Sequence, residues 1–294
     1  MTKYKVSVAM ATYNGGMYLK QQLDSILNQT YIVDEIIISD DHSTDNTLSI
    51  LNEYQEKGLI KYMINGSEGG VIANFKNAVK HCKPTNYIAL ADQDDIWLPQ
   101  KIKVNIDELS QISPEIPALA FSDLSVIDGN NKQLNQSFFK EIVEADPQFE
   151  KLRSLLYSNK VIGCTTMFNP AMRLYFDSMP NNVFMHDYWI ALISFTFGKH
   201  IYINEPLIQY RRHGSNVTAT HDSLAKKIAK ELKDYLFNRR VELDEHIDTV
   251  ILFSGLYNQM VESGVKKELS LFIDLKNRST FIKRMKTFMY KSSK

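Results

Sequence analysis

The first hundred residues alternate between short apolar runs and longer segments whose apolar residues recur with helical spacing. The runs predict strands over Lys5–Met10, Glu35–Ser39, Ile60–Ile64 and Tyr87–Ala91, and the spacing predicts helices over Met17–Asn28, Asn46–Lys57 and Val71–His81. Strands that alternate with helices of this length imply β-α-β crossovers. We therefore expect an α/β fold with a mostly parallel sheet that carries helices on both faces.

The pattern changes after residue 98. It predicts a helix with Pro99 in its first turn, strands over Ala118–Phe121, Val161–Phe168 and Ile201–Ile203, and helices that open at Asn169 and Asp187. Beyond Asn216 nearly every segment has amphipathic helical spacing. We predict an α/β domain over residues 1–216, divided into halves of about 1–98 and 99–216, and a helical region over 217–294.

Composition excludes several classes of protein. Lys plus Arg equals Asp plus Glu at 34 each, so we expect no nucleic-acid partner. Cys82 and Cys164 form no CxxC pair, which argues against a disulfide scaffold or a cysteine zinc site and favours a reducing cytoplasm. The apolar runs are too short for a signal peptide or a membrane span, so we expect neither.

Aspartates cluster where the predicted strands end, which is the edge of an open α/β sheet that binds ligands. Asp40, Asp41 and Asp45 follow the second strand, and Asp92, Asp94 and Asp95 follow the fourth. Capping of the following helix explains the first group as well as ligand binding does. Carboxylates held this close need a proton or a cation, and Mg²⁺ or Mn²⁺ commonly bridges carboxylates to substrate phosphates.

Other residues add candidate chemistry. No GxGxxG motif follows the first strand and no P-loop motif is present, which disfavours a dinucleotide oxidoreductase and a P-loop NTPase. Arg211 and Arg212 carry donors suited to phosphate oxygens, and His213 is a metal ligand or a structural histidine. Asp187 stands where it can cap the following helix, act as a general base towards a hydroxyl, or do both.

Several segments resemble, in order and spacing, the inverting family 2 glycosyltransferases with the GT-A fold. These segments are VSVAMATYNGG, IIISDDHSTDNT and ALADQDDIW with Lys101 after it, and the resemblance covers roughly residues 4–216. DQDDIW, FSDLSVID, GCTTMFN, MHDYW and YRRHGSN are similar to the bacterial rhamnosyltransferase branch, which serves surface-polysaccharide synthesis. His42 stands where many members carry Gly. The resemblance implies a Rossmann-like, mostly parallel sheet flanked by helices, with a C-terminal helical appendage.

The resemblance also implies roles for individual residues. It assigns nucleotide-sugar binding to Ala11, Thr12, Tyr13, Asp40, Asn74, Asp92, Asp94, Arg211 and Arg212. Within this set the first three line the base, Asp40 meets the base or ribose, Asp92 meets the ribose or sugar, and the arginines close over the pyrophosphate. Asp94 and His213 are the implied ligands of Mg²⁺ or Mn²⁺, and Asp187 is the implied catalytic base.

The implied activity is transfer of a sugar, L-rhamnose from dTDP-β-L-rhamnose, with inversion onto a hydroxyl of a lipid-linked glycan. Two alternatives stay open: a transferase of the same fold that uses UDP-galactose or UDP-N-acetylglucosamine, and a non-catalytic nucleotide-sugar-binding subunit. The presence of Asp92, Asp94 and Asp187 argues against the second alternative. A homo-oligomer also stays open.

The C-terminal tail has a distinct charge pattern. Residues 276–294 hold seven Lys or Arg and no acid, and apolar residues recur there with helical spacing. A basic amphipathic helix of this kind can lie in the headgroup layer of an anionic membrane. We predict peripheral attachment to the inner face of the cytoplasmic membrane, the alternative being that this face packs on the protein or in an oligomer.

Overall fold

A computed structural model describes residues 4–66, 69–143, 151–213 and 238–278. The strands are β1 Val6–Thr12, β2 Glu35–Asp40, β3 Lys61–Ile64, β4 Tyr87–Ala91, β5 Ile96–Trp97, β6 Ala118–Asp128, β7 Gln133–Asn135, β8 Met167–Phe168 and β9 Lys199–Arg212. The helices are α1 Leu19–Leu27, α2 Thr47–Glu56, α3 Val71–His81, α4 Lys101–Leu109, α5 Leu152–Tyr157, α6 Pro170–Asp177, α7 His186–Thr196, α8 Asn238–Tyr257 and α9 Ser263–Ile273.

The strands form one sheet in the order β3-β2-β1-β4-β8-β6-β9-β5, with β7 paired to β6 outside this path. The first four strands are parallel, as the sequence predicts. The second half is mixed: β8 runs antiparallel to β4 and β6, while β6 and β9 are parallel. The predicted α/β class is confirmed.

The central strands bury both faces, which is why they are continuously apolar. Successive side chains of a strand point to opposite faces, so Val8 and Met10 join one core cluster and Ala9 joins the other. The first cluster includes residues of α1, α2 and α4. The second includes residues of α3, α6, α7, α8 and α9. The parallel strands are thereby held firmly, with their carboxyl ends at one edge.

The predicted strand over Val161–Phe168 is wrong for most of its length. A 3₁₀ turn occupies Gly163–Thr165, and only Met167–Phe168 pairs in the sheet. The Thr165 and Thr166 hydroxyls each donate to the backbone carbonyl three residues earlier, at 2.7 Å. These local hydrogen bonds compete with strand pairing and stabilise the turn.

Two strands are much longer than predicted. The strand predicted over Ala118–Phe121 continues to Asp128, and the one predicted over Ile201–Ile203 runs over Lys199–Arg212. The pattern failed here because β6 and β9 pair along their length with register shifts around Asp123, so polar residues lie inside the strands. The helix predicted to contain Pro99 begins at Lys101.

The C-terminal helices continue one side of the core. Phe253 of α8 lies 5.9 Å from Trp189 between ring centroids, and Phe272 of α9 lies 5.0 Å from Tyr157. The predicted boundary near residue 216, and the tail from Ser279 onward, lie outside the described residues. Within the described part of the chain, no helix has the length and apolar character required for a membrane crossing.

Candidate active site

The loop after β2 is ordered by Asp40, which is fully buried. Its Oδ2 accepts hydrogen bonds from the hydroxyls of Thr12 and Ser43, both at 2.7 Å, and its Oδ1 accepts the Ser43 backbone N–H at 2.8 Å. Asp40 therefore ties the end of β1 to the loop after β2. Its contact with a base or ribose stays a prediction, since these contacts are all with the protein.

The other aspartates of this loop also have protein donors. Asp45 accepts the backbone N–H groups of Thr47 at 2.9 Å and Gly16 at 3.0 Å. Burial opposes ionisation of Asp45, but these hydrogen bonds outweigh it and hold its pKa below the ordinary value. Asp45 thus bonds to the first turn of α2, but the N-cap of that helix is Asn46, so the predicted capping position is one residue too early.

The backbone at His42 has a conformation that favours the glycine of the family pattern. His42 has a φ of 62°, in the left-handed region that glycine adopts most readily. The neighbouring Asp41 accepts hydrogen bonds from the Asn65 side chain at 3.0 Å and from the Gly70 backbone at 2.8 Å. Asp41 therefore joins this loop to the segment that precedes α3.

The predicted base-lining loop follows β1 and meets the loop after β4. Gln93 accepts the Tyr13 backbone N–H at 2.8 Å and donates to the Tyr13 carbonyl at 3.0 Å. The Tyr13 side chain is 58% exposed. Asn74 donates to the Thr12 carbonyl at 3.0 Å, and its buried Oδ1 has no hydrogen-bond partner among the described residues. The structure thus brings Asn74 to the end of β1, next to the exposed Tyr13.

The loop after β4 gathers carboxylates close to one another. One ligand atom each from Asp92, Asp95 and Cys164 lies within 4.8 Å of the others. Burial, together with the charges of Asp94 and Asp187, raises the pKa of Asp92 to about 7. Burial and the charges of Asp94 and Asp92 raise the pKa of Asp95 well above its ordinary value. This edge of the sheet accumulates negative charge that a cation would stabilise.

The two predicted metal ligands are brought together. The His213 Nε2 lies 2.8 Å from the Asp94 Oδ2, and the His213 ring packs on Tyr18 with centroids 4.8 Å apart. Carboxylate oxygen suits both Mg²⁺ and Mn²⁺, and imidazole nitrogen is a common ligand of transition-metal ions. Burial raises the pKa of the Cys164 thiol well above its ordinary value, which leaves it a protonated and poor ligand. The donor set therefore fits a divalent cation held by carboxylates with His213.

Arg211 has a different environment from the expected one. It is fully buried, its Nε donates to the Asp94 carbonyl at 2.7 Å, and its backbone N–H donates to the Asp95 Oδ1 at 3.1 Å. Its Nη2 donates to Gln21 at 2.9 Å. These contacts make Arg211 a support of the acidic loop, so its expected closure over a pyrophosphate is not supported. Arg212, the next residue of β9, is exposed.

The sequence analysis missed Lys101 and Cys164 as neighbours of this loop. Lys101 is fully buried, and its amine lies 4.5 Å from the Trp97 ring centroid. Burial lowers the pKa of Lys101 to about 8, although the charges of Cys164 and Asp95 oppose that shift. Both residues stand in the motif segments quoted above, but the sequence does not show that helix α4 and the 3₁₀ turn bring them to this loop in the folded protein.

Asp187 is half-buried near this cluster, and its charge affects the pKa of Asp92. It is the second residue of α7, so the predicted helix-capping position is wrong: the helix begins at His186 after the extended Met185. Asp187 Oδ1 accepts the Asn159 side chain at 2.9 Å, and Oδ2 accepts the Gly163 backbone N–H at 3.1 Å. Burial raises its pKa to about 6, against the effect of these hydrogen bonds. A general base of raised basicity is thus available.

Comparison with known sequences gives a consistent set of relatives. A family model described as glycosyl transferase family 2 matches residues 7–175. The dTDP-rhamnosyl transferase RfbG of Shigella flexneri is 30% identical over 231 residues, which cover 74% of this chain and 76% of RfbG. The UDP-Glc:alpha-D-GlcNAc-diphosphoundecaprenol beta-1,3-glucosyltransferase WfgD of Escherichia coli is 28% identical over 242 residues, which cover 81% of this chain and 89% of WfgD.

Comparison with solved structures agrees on the fold. Residues 1–349 of S. aureus TarS, in complex with UDP-GlcNAc, superpose with a TM-score of 0.56 at 19% identity, covering 91% of this chain and 79% of that one. The mannosyltransferase PcManGT of Pyrobaculum calidifontis, in complex with GDP-Man and Mn²⁺, gives a TM-score of 0.56 at 14% identity, covering 99% and 86%. At these identities the likeness shows the fold, which is that of GT-A glycosyltransferases.

Proposed function

Because this chain belongs to glycosyl transferase family 2, we propose that it transfers L-rhamnose from dTDP-β-L-rhamnose to a hydroxyl of a lipid-linked glycan in bacterial surface-polysaccharide synthesis. The observation that carries this donor is the 30% identity with RfbG, a dTDP-rhamnosyl transferase. The similarity to WfgD, whose name gives an acceptor on diphosphoundecaprenol, supports the lipid-linked acceptor.

The acceptor is activated by Asp187. Its pKa of about 6 leaves it ionised at neutral pH, yet more basic than an ordinary carboxylate. It removes the proton of the acceptor hydroxyl as that oxygen attacks the anomeric carbon. The bond from that carbon to the diphosphate oxygen breaks, and the nucleoside diphosphate leaves with the electron pair. One displacement inverts the anomeric centre, so a β donor gives an α-L-rhamnoside.

The donor is held at the edge formed by the loops after β1 and β4. Ala11, Thr12, Tyr13 and Asn74 receive the nucleoside, and Asp92 receives the ribose or the sugar. Asp94 and His213, whose Oδ2 and Nε2 lie 2.8 Å apart, would hold the divalent cation. When bound, this cation supplies positive charge that stabilises the departing diphosphate. Arg212 is exposed at the end of β9 and can reach phosphate oxygens from outside.

A second candidate is a transferase that uses a UDP-sugar. The observation in its favour is the WfgD similarity, which covers 81% of this chain and names UDP-Glc as the donor of that enzyme. The chemistry at Asp187 would be the same. The two candidates differ in the base and the sugar that the donor site accepts.

A donor panel separates these functions. Purified protein with Mg²⁺ or Mn²⁺ is given dTDP-rhamnose, UDP-glucose, UDP-galactose or UDP-N-acetylglucosamine with a lipid-diphosphate-linked acceptor, and the released nucleoside diphosphate and the glycosylated lipid are measured. We expect dTDP-rhamnose to give the largest kcat/KM, with Asp187→Asn as the inactive control. Preference for a UDP-sugar would select the second candidate. Binding of nucleotide-sugars without turnover of any of them would select a non-catalytic subunit.

We further propose that the basic tail, residues 276–294, attaches the enzyme to the inner face of the membrane that carries its acceptor. Its seven Lys or Arg residues support this, because each one near anionic lipid contributes about 1 kcal/mol of attraction. In a sedimentation assay, anionic vesicles should bind the full chain at low salt and bind it more weakly at high salt. They should not bind a chain that ends at residue 275. Equal binding by both chains would contradict the role of the tail.

A further inference from the structure

The side chain of Asn159 is fixed in one orientation. Its Oδ1 accepts the Val161 backbone N–H at 3.0 Å, and its Nδ2 donates to the Val161 carbonyl at 2.9 Å. The second hydrogen of Nδ2 is directed to the Asp187 Oδ1 at 2.9 Å. Because an ionised carboxylate can only accept, the amide cannot flip without breaking all three hydrogen bonds. Asn159 is therefore a rigid donor aimed at one oxygen of Asp187.

The second oxygen of Asp187 accepts a hydrogen bond from Gly163, a position at which a side chain would clash. Gly163 donates its backbone N–H to the Asp187 Oδ2 at 3.1 Å. A Cβ added to Gly163 would lie 2.7 Å from the His186 Nε2, closer than van der Waals contact permits. The His186 ring is buried and packs on Phe75, with centroids 4.3 Å apart, so it has little room to give way. Glycine at this position lets the amide approach the carboxylate.

The described hydrogen bonds to the half-buried Asp187 come from neutral donors. Asp92 faces it from the loop after β4, and the charge of Asp187 contributes to the raised pKa of Asp92. His186, beside it on α7, is neutral near pH 7 because burial lowers its pKa to about 4. The hydrogen bonds from Asn159 and Gly163 favour the ionised form of Asp187 against burial.

We propose that Asn159 and Gly163 are positioning residues that orient the Asp187 carboxylate for removal of the acceptor proton. The proposal rests on the proposed function, in which Asp187 is the base. Asn159, in the loop after α5, and Gly163, the first residue of the 3₁₀ turn, each donate to one oxygen, so together they restrict the direction of the remaining lone pairs. Loss of either donor would change both the orientation of the Asp187 carboxylate and its pKa.

The test compares Asn159→Ala and Asn159→Asp with the wild type. The first removes the donor, and the second keeps the shape but replaces the donor with an acceptor. Removing a donor from the ionised form raises its pKa, so we expect the acid limb of the kcat profile to move up by about one pH unit in Asn159→Ala. The shift should be larger in Asn159→Asp than in Asn159→Ala, because the new carboxylate also repels the charge of Asp187. We expect kcat to fall by roughly tenfold or more and the donor KM to change little, because misaimed groups lose rate.

A matched control is Asn169→Ala. Asn169 is also an asparagine that bonds to the backbone, accepting the N–H groups of Met172 and Ala118 at 3.0 Å, but its described hydrogen bonds do not reach Asp187. It should lower the Tm and leave the acid limb in place. Gly163→Ala is the second variant at the site, and we expect it to lower kcat at least as much as Asn159→Ala.

An independent readout is the titration of Asp187 by ¹³C NMR of the carboxyl carbon, assigned with Asp187→Asn. An upward shift in Asn159→Ala that is absent in Asn169→Ala supports the proposal. The same titration and the same acid limb in Asn159→Ala and wild type would overturn it. If the wild type transfers no sugar from any donor, the proposed function fails and, with it, the assigned role. A shifted NMR titration would then show only that the contact exists.

Discussion

Two loops of this protein have nearly the same sequence character and opposite electrostatics. Asp40, the last residue of β2, forms one group with Asp41 and Asp45 in the loop that follows, and three aspartates after β4 form the other. After β2, Asp40 and Asp45 accept hydrogen bonds from backbone N–H groups and hydroxyls at 2.5–3.0 Å. After β4, the carboxylates face one another, and the pKa of Asp92 is raised to about 7.

The difference shows how an acidic loop that orders a fold can be distinguished from one that binds a cation. A carboxylate whose charge is satisfied by internal donors needs no ligand, whereas like charges left together need a proton or a metal. The sequence carries part of this signal. Ser43 and Thr47 supply hydroxyls within the first loop, whereas the segment DQDDIW contains no serine or threonine.

The largest expected effect comes from removing the cation or its carboxylate ligand. We expect excess EDTA to abolish sugar transfer and Mg²⁺ or Mn²⁺ to restore it, because the cluster repels a diphosphate unless a cation lies between them. Asp94→Asn should lower kcat/KM by at least about 10³-fold and weaken donor binding, as measured by calorimetry. The circular dichroism spectrum should be unchanged. Full activity in EDTA would remove the distinction between the two loops.

Asp187 is intermediate between the two loops, since it has protein donors but its pKa is still raised to about 6. We expect Asp187→Asn to keep donor binding and to lose roughly 10²–10⁴-fold in kcat, because the amide cannot take a proton. The measurements are nucleoside diphosphate release and a binding isotherm for the donor. A variant that turns over at the wild-type rate would show that the carboxylate serves the helix and not the reaction.

The parallel half of the fold was predictable from the sequence for a physical reason. Strands buried on both faces are continuously apolar, and the predicted bounds of Val71–His81 and Tyr87–Ala91 agree with the structure. The second half was not, because β6 carries polar residues within its length and local hydroxyl bonds replace the strand expected before Met167. Pairing between distant strands decided those elements.

The sequence predicts the site residues that lie at the ends of strands. It does not predict those whose position depends on how side chains pack in the folded protein. Asp94 and His213 are 119 positions apart, yet the ends of β4 and β9 bring them within 2.8 Å. The pattern could not show that Arg211 points inward, since that depends on which face of β9 meets the acidic loop. It gave no sign of Asn159, whose role depends on one amide contact with Asp187 at 2.9 Å.

A smaller effect is expected from Asp40→Asn, which tests the loop after β2. In the wild type, the two carboxylate oxygens accept three hydrogen bonds, one from Thr12 and two from Ser43. The amide of the variant has only one oxygen that can accept, so not all of these hydrogen bonds can form. We expect the free energy of unfolding to fall by about 2–3 kcal/mol, the usual contribution of hydrogen bonds to a buried charged group. Urea denaturation measures this, and Ser43→Ala is the milder control at about 1 kcal/mol. An unchanged stability would mean that Asp40 is free to serve a ligand.

The smallest effect is expected from Asp95→Asn in the loop after β4, measured without metal. Burial and neighbouring charges raise the pKa of Asp95, so the folded protein favours its neutral form, which an amide resembles. The Arg211 backbone N–H, which donates to Oδ1 at 3.1 Å, can donate to the amide oxygen of the variant instead.

The pH dependence of stability separates the two proteins. A raised folded-state pKa contributes stability below the unfolded pKa of about 3.9, and this contribution is lost as the pH rises through the folded value. At pH 7 the wild type therefore carries a penalty that the variant lacks, so we expect unfolding free energies within about 1 kcal/mol or a gain for the variant. Below pH 4 the gain should disappear. A loss at pH 7 as large as that of Asp40→Asn would mean that the two acidic loops are stabilised in the same way.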